Sequence, residues 1–154
     1  MSGKSSTSRT VLLTGFAPFD GDAVNPSWQA ARALHGRRIA GHRVTARELP
    51  VAFGDSLKAL RASILETRPA VVVCVGLAAS RRAISLERIA VNLDDARIPD
   101  NAGRKPIDVP VVRAGPAAYF STLPVKAIRA AIEATGMPAE VSQSAGTYVC
   151  NHVF

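Results

Sequence analysis

Cys150 lies just after a glycine in the stretch Ser144-Ala145-Gly146-Thr147-Tyr148-Val149-Cys150-Asn151-His152. The preceding residues, Ala139 to Ser144, read as a strand, so the thiol stands beyond a strand-to-helix turn. In the first turn of a helix a cysteine is drawn toward thiolate by the unpaired backbone N–H groups. The same groups can hold an oxyanion in a later step. The chemistry this placement suggests is nucleophilic attack on a carbonyl. Composition alone favours a buried, apolar role for a free cysteine, and it is the strand, turn and helix context that argues for a nucleophile.

A cysteine nucleophile needs a base, usually a histidine oriented by a carboxylate or amide. The histidines are His35, His42 and His152. His152 is two residues beyond Cys150 on the same expected helix, and positions i and i+2 do not face one another, which makes it a poor base. His35 ends an early helix and His42 opens a strand, and both read as boundary residues. Among the carboxylates Glu87 stands out, inside the apolar segment Ile84-Ser85-Leu86-Glu87-Arg88-Ile89-Ala90-Val91-Asn92. It is either an outward-facing strand residue paired with a neighbouring arginine or an acid that orients a histidine. The second cysteine, Cys74, lies in the run Ala70-Val71-Val72-Val73-Cys74-Val75-Gly76 and reads as core packing. Two cysteines form no disulfide framework and fit a reducing cytoplasm. Neither a metal nor a cofactor is expected.

The elements that would position these residues follow from periodicity and punctuation. Val11 to Phe16 reads as a first strand ending in a loop, and Asn25-Pro26 announces a helix that Gly36 stops. His42 to Leu49 alternates as a second strand. Asp55 to Thr67 carries Leu57, Leu60 and Ile64 at helical spacing, and Pro69 separates it from the apolar strand Ala70 to Val75, expected to be covered on both faces. Ile84 to Leu93 is a further strand candidate that Glu87-Arg88 interrupts, followed by a polar loop from Asp94 to Gly103. Pro124 to Thr135 is a helix with Val125, Ile128 and Ile132 on one face, and Ala139 to Ser144 the last strand. The alternation predicts an α/β fold, a three-layer α/β/α sandwich around a mostly parallel central sheet. Ligands in such folds sit at the carboxyl ends of strands, where Gly15-Phe16, Gly76-Leu77 and Gly146 all lie.

At 154 residues the chain suits one domain, which buries roughly 70% of its unfolded surface. Residues 1–10 read as a disordered lead-in, Ser/Thr-rich and without the apolar core of a signal peptide. No apolar run approaches the roughly 18 residues of a membrane span, so a soluble protein without membrane attachment is expected. The net charge is +7, but the basic residues are scattered in ones and twos and aromatic residues are few. That pattern argues against nucleic acid as a partner.

Four segments, taken together, resemble the pyroglutamyl peptidase I family, the pyrrolidone-carboxylate peptidases of the cysteine class. Leu13-Thr14-Gly15-Phe16-Ala17-Pro18-Phe19 and Asn25-Pro26-Ser27 are similar to its opening signature. Gly76-Leu77-Ala78, Arg81, Ile84 and Glu87 to Asn92, running into Asp94-Asp95-Ala96-Arg97-Ile98-Pro99-Asp100-Asn101, resemble a second. The stretch Ser144 to His152 resembles the nucleophile signature. The matches are long, ordered and spread over most of the chain.

The resemblance implies an α/β/α fold and a Cys-His-Glu triad that removes an N-terminal pyroglutamyl residue from a peptide through an acyl-enzyme. It makes Cys150 the nucleophile and Glu87 the acid. Phe16 and Phe19 would sandwich the lactam ring, Asn25 would supply a polar partner, Arg97 would help at the oxyanion, and Ile98 and Val149 would complete the apolar wall. Such a pocket suits the ligand, because a small uncharged lactam is bound by burying its ring and pairing its amide. The implied partners are peptides with N-terminal pyroglutamate, and the implied assembly a homodimer or homotetramer in the cytoplasm. In the family the catalytic histidine lies downstream of the nucleophile. The expectation is therefore a single α/β peptidase domain over 11–154 that lacks its C-terminal part, the rest belonging to a longer protein. The alternative is a truncated or degenerate homologue, inactive because the histidine is absent.

Overall fold

A computed structural model describes residues 9–154. The lead-in expected over residues 1–10 lies almost wholly outside the described residues, and Thr10 already belongs to a strand. The chain divides into two compact units, Met1–Leu77 and Ala78–Phe154.

The first unit is built on β1 (Thr10–Phe16), which pairs in parallel with β3 (His42–Leu49) on one side and β4 (Val71–Cys74) on the other. A two-residue strand, β2 (Arg38–Ile39), adds antiparallel to β3, giving the order β2-β3-β1-β4. Leu13 stands opposite Ala46 and Val73, and these side chains meet Ala31, Trp28 and Leu34 of the first helical segment. Leu12, adjacent and hence on the other face, is also fully buried, so both faces of the sheet are covered. Helix α1 (Pro26–Ala33) begins as its sequence predicts, with Asn25 as cap and Pro26 in the first turn. Helix α2 (Asp55–Thr67) packs on β3 and β1 and ends where Arg68 turns left-handed ahead of Pro69.

Strand β4 departs from expectation. It is shorter than Ala70 to Val75 and is the outer strand of its sheet, with Val71 and Cys74 exposed instead of covered on both faces. Continuous apolarity marks a strand that can be buried, but its place in the sheet order decides whether it is.

In the second unit β5 (Ile84–Glu87) pairs in parallel with β8 (Ala139–Ser142), and β6 (Ile89–Val91) pairs antiparallel with β7 (Ala118–Phe120). The single strand expected over Ile84 to Leu93 is therefore two. Arg88 is the exchange point: its N–H donates to Ser142 O at 3.0 Å, while its carbonyl accepts from Ser121 N at 2.9 Å. The chain leaves one partner strand and joins another at that residue. Helix α3 (Val125–Glu133) packs on β8 and β5, but its apolar face is only half-buried. The polar loop after β6 is pinned by a bridge between Asp94 and Val109 and by Asp100, whose Oδ1 accepts from Ala102 N and Arg104 N. The unit ends in α4 (Val149–Val153). Among the described residues no helix is long and apolar enough to cross a membrane.

Candidate active site

The loop after β1 carries Phe16, Phe19 and Asn25, and the start of α1 fixes it. Phe16 N donates to Ser27 Oγ at 3.0 Å, and Ser27 Oγ donates in turn to Asn25 Oδ1 at 2.8 Å. Asn25 Oδ1 also accepts from Ser27 N, as an N-cap does, and Asn25 Nδ2 donates to Ala17 O at 3.0 Å. One amide thus starts the helix and ties back the chain between Phe16 and Phe19. Asn25 is buried and engaged in this local network. Phe16 is buried and Phe19 half-buried. Gly15 is required for steric reasons, since a Cβ there would lie 2.5 Å from Ser27 O and from Trp28 Cα. The close approach of β1 to α1 is what brings Ser27 within reach of Phe16.

In the second unit Glu87 closes β5 opposite Ser142 of β8, and β8 runs on through Gly146, at φ +78°, into α4. Cys150 is in the first turn of α4, half-buried. Glu87 Oε1 accepts from Arg81 Nη1 at 2.7 Å, and Arg81 Nη2 reaches Ser144 O at 3.3 Å, so one guanidinium links the acid to the turn before the thiol. Glu87 Oε2 is buried with no hydrogen-bond partner among the described residues. Of the remaining expected residues, Val149 is buried, Ile98 half-buried and Arg97 exposed.

The histidines all have structural partners. His35 Nδ1 accepts from Ala46 N at 3.0 Å, His42 Nδ1 lies 2.9 Å from Ala40 O, and His152 Nδ1 lies 2.7 Å from Asp94 Oδ2 with both residues buried. Ser27, Arg81, Asp94 and Asn151 were not singled out for roles by sequence reasoning. For Ser27 the Asn-Pro-Ser start of a helix is a signal, and for Arg81 the signal is Glu87 six residues on; for Asp94 and Asn151 the partner is remote in sequence and no local pattern marks it. Cys74, opposite Thr14 at the sheet edge, keeps exposed surface, yet the protein around its sulfur desolvates the thiolate and pushes the thiol up, the Thr14 hydroxyl opposing this in part.

A family model described as pyroglutamyl peptidase matches residues 9–154. The chain belongs to the pyroglutamyl peptidase family. It is 61% identical over 145 residues to a pyrrolidone-carboxylate peptidase of Chromobacterium violaceum, covering 94% of this chain and 69% of that protein. To a namesake from Streptomyces coelicolor it is 60% identical over 143 residues, covering 93% and 66%. The crystal structure of Bacillus amyloliquefaciens pyroglutamyl peptidase I superposes with a TM-score of 0.93 at 45% identity, covering 95% of this chain and 71% of that one. A pyrrolidone carboxyl peptidase from Pyrococcus furiosus gives 0.91 at 49% identity, with coverage of 94% and 69%. The chain thus spans about two thirds of the length of these pyroglutamyl peptidases. The likeness extends to the α/β fold, and the Gly15 to Ser27 and Ser144 to His152 segments both fall inside the matched span.

Proposed function

We propose that this chain carries the nucleophile, the acid and the lactam-binding loop of a cysteine peptidase that removes N-terminal pyroglutamate from peptides. Membership of the pyroglutamyl peptidase family supports the reaction class. The observation that carries the assignment of residues is the parallel pairing of β5 and β8, which puts Glu87 and the turn leading to Cys150 at the same end of one sheet. The buried, unmatched Oε2 of Glu87 is an acceptor suited to an imidazole N–H.

In this mechanism the histidine takes the proton of the Cys150 thiol, the thiolate adds to the pyroglutamyl carbonyl carbon, the scissile C–N bond breaks, and the leaving amine takes that proton from the imidazolium. Water, deprotonated by the same base, then cleaves the thioester and releases pyroglutamate. Phe16 and Phe19 stack on the lactam, Ile98 and Val149 close the apolar wall, and Arg97 assists at the oxyanion. Asn25 acts on the lactam chiefly by holding the loop, since its amide is already committed to Ser27 and Ala17. The base is not His152, which lies two residues beyond Cys150 on the same helix and does not face it, nor His35 or His42, whose Nδ1 atoms are engaged by the backbone at Ala46 and Ala40. It falls to a downstream histidine of the kind the family uses. The same proposal includes a cytoplasmic setting and homodimeric or homotetrameric association, which sedimentation measures.

The test is release of a fluorescent amine from a pyroglutamyl amide by wild type and by Cys150→Ala, with intact mass measured on the same sample. Turnover that disappears in Cys150→Ala supports the peptidase. A protein of 16.2 kDa that binds pyroglutamate without turnover would leave the inactive homologue as the better account.

A further inference from the structure

We propose that Asn151 and the Asp94–His152 pair are positioning residues that orient Cys150, a role that rests on Cys150 being the nucleophile. Cys150 stands in the first turn of helix α4. Its orientation is set by side chains that reach the segment following β6. Asn151 Oδ1 accepts from Val91 N at 2.9 Å, and Asn151 Nδ2 donates to Val91 O at 2.9 Å and to Leu93 O at 3.0 Å. The amide satisfies both polar groups of Val91, as a neighbouring strand would. Only a side chain with a donor and an acceptor side by side can do this.

His152 supplies a second fastening. Its Nδ1 is 2.7 Å from Asp94 Oδ2, and Asp94 is itself fixed by two backbone hydrogen bonds with Val109, at 2.7 and 3.0 Å. On the other side of Cys150, Thr147 exchanges hydrogen bonds with Asp95, and Tyr148 Oη donates to Pro99 O. Cys150 is therefore held from both flanks by one segment, Val91 to Pro99, which continues directly from β5 and β6. Glu87 stands at the end of β5. The clamp ties the nucleophile to the chain segment that follows the acid, and a reaction needing a fixed attack geometry requires such fastening.

The experiment compares wild type, Asn151→Asp, His152→Gln and His152→Ala. Asn151→Asp keeps the shape but turns a second acceptor toward two carbonyls. Three quantities are measured: kcat and KM on a pyroglutamyl amide, the rate of Cys150 alkylation by iodoacetamide resolved by peptide mass, and the thermal melt. A folded Asn151→Asp is expected to lose about 10- to 100-fold in kcat with little change in KM, and to change the alkylation rate of Cys150 but not that of Cys74. His152→Gln, which retains a donor toward Asp94, is expected to keep more of both than His152→Ala. If Asn151→Asp does not fold, the contrast between the two His152 variants decides.

Folded variants with wild-type kcat and wild-type Cys150 alkylation would overturn the proposal and leave these residues a purely structural role. If the wild type shows no turnover, the peptidase assignment fails by itself. The alkylation rates then still decide whether Asn151 and His152 orient the thiol.

Discussion

Arg81 Nη1 lies 2.7 Å from Glu87 Oε1, while the other oxygen of Glu87 is buried and takes no hydrogen bond among the described residues. The two oxygens of this carboxylate therefore differ: Oε1 is engaged by the guanidinium, and Oε2 is an acceptor suited to a further donor. Arg81 also reaches Ser144 O. The guanidinium fixes the carboxylate plane, leaves Oε2 available, and ties the acid to the turn that precedes Cys150.

Glu87→Gln keeps the size of the side chain but removes its charge, and its amide nitrogen cannot accept from either Arg81 or an imidazole. If Glu87 orients the base, kcat/KM should fall by about 10²–10⁴-fold. The melting temperature should move little, since both side chains of the Arg81 pair are more than a quarter exposed. Steady-state kinetics with a pyroglutamyl amide checks this, and retention of wild-type kcat/KM would remove Glu87 from the mechanism.

Gly15→Ala tests the close packing behind the aromatic loop. The added methyl meets backbone atoms of Ser27 and Trp28 at 2.5 Å, which cannot yield as a flexible side chain would. Either β1 or α1 must shift, at a cost of about 1–3 kcal/mol or more. The shift also pulls Ser27 Oγ from Phe16 N, so KM for the pyroglutamyl amide should rise along with the loss of stability. Denaturant melts and KM measured on the same preparation make the comparison, and an unchanged midpoint would contradict the steric account.

His152→Leu should destabilise the protein by about 3–5 kcal/mol, because it leaves the carboxylate of Asp94 buried without its partner. Lys58→Ala is the contrasting control. The Lys58 side chain is 81% exposed in its pair with Asp55, and its removal should cost at most about 0.5 kcal/mol. Chemical denaturation of the two variants beside wild type measures the difference, and equal midpoints would show that the His152–Asp94 contact contributes little.

Much of this architecture is visible in the sequence where the cause is local. His42–Leu49 and Asp55–Thr67 form with the bounds that alternation and helical spacing predict, and the Asn25-Pro26 start of α1 carries its own capping chemistry. The two-residue β2 and three-residue β7 have no periodicity to detect, and they exist only because a partner strand is nearby. Exposure of β4 depends on sheet order, which no window of sequence contains. The site divides in the same way. Cys150 and Glu87 stand in recognisable signatures, whereas the contacts of Asn151 with Val91 and of His152 with Asp94 join residues 60 and 58 positions apart.

Cys74 and Cys150 should differ in reactivity. Desolvation raises the Cys74 thiol above its ordinary value of 9.0, and the Thr14 hydroxyl only partly offsets this, so very little Cys74 thiolate exists near neutral pH. Iodoacetamide at neutral pH should therefore label Cys150 before Cys74, and the Cys74 rate should still be climbing at a pH where an ordinary thiol has levelled off. The sign for stability follows. A thiol whose value is higher in the folded chain than in the unfolded one holds its proton more tightly when folded, so its contribution is fully present below about pH 9. It is lost as pH rises through the folded value, because the unfolded chain ionises first. Cys74→Ser should flatten the alkaline loss of stability seen in wild type, measured as denaturation midpoints from neutral pH upward. An alkaline slope identical in the two proteins would show that the thiol is not the group responsible.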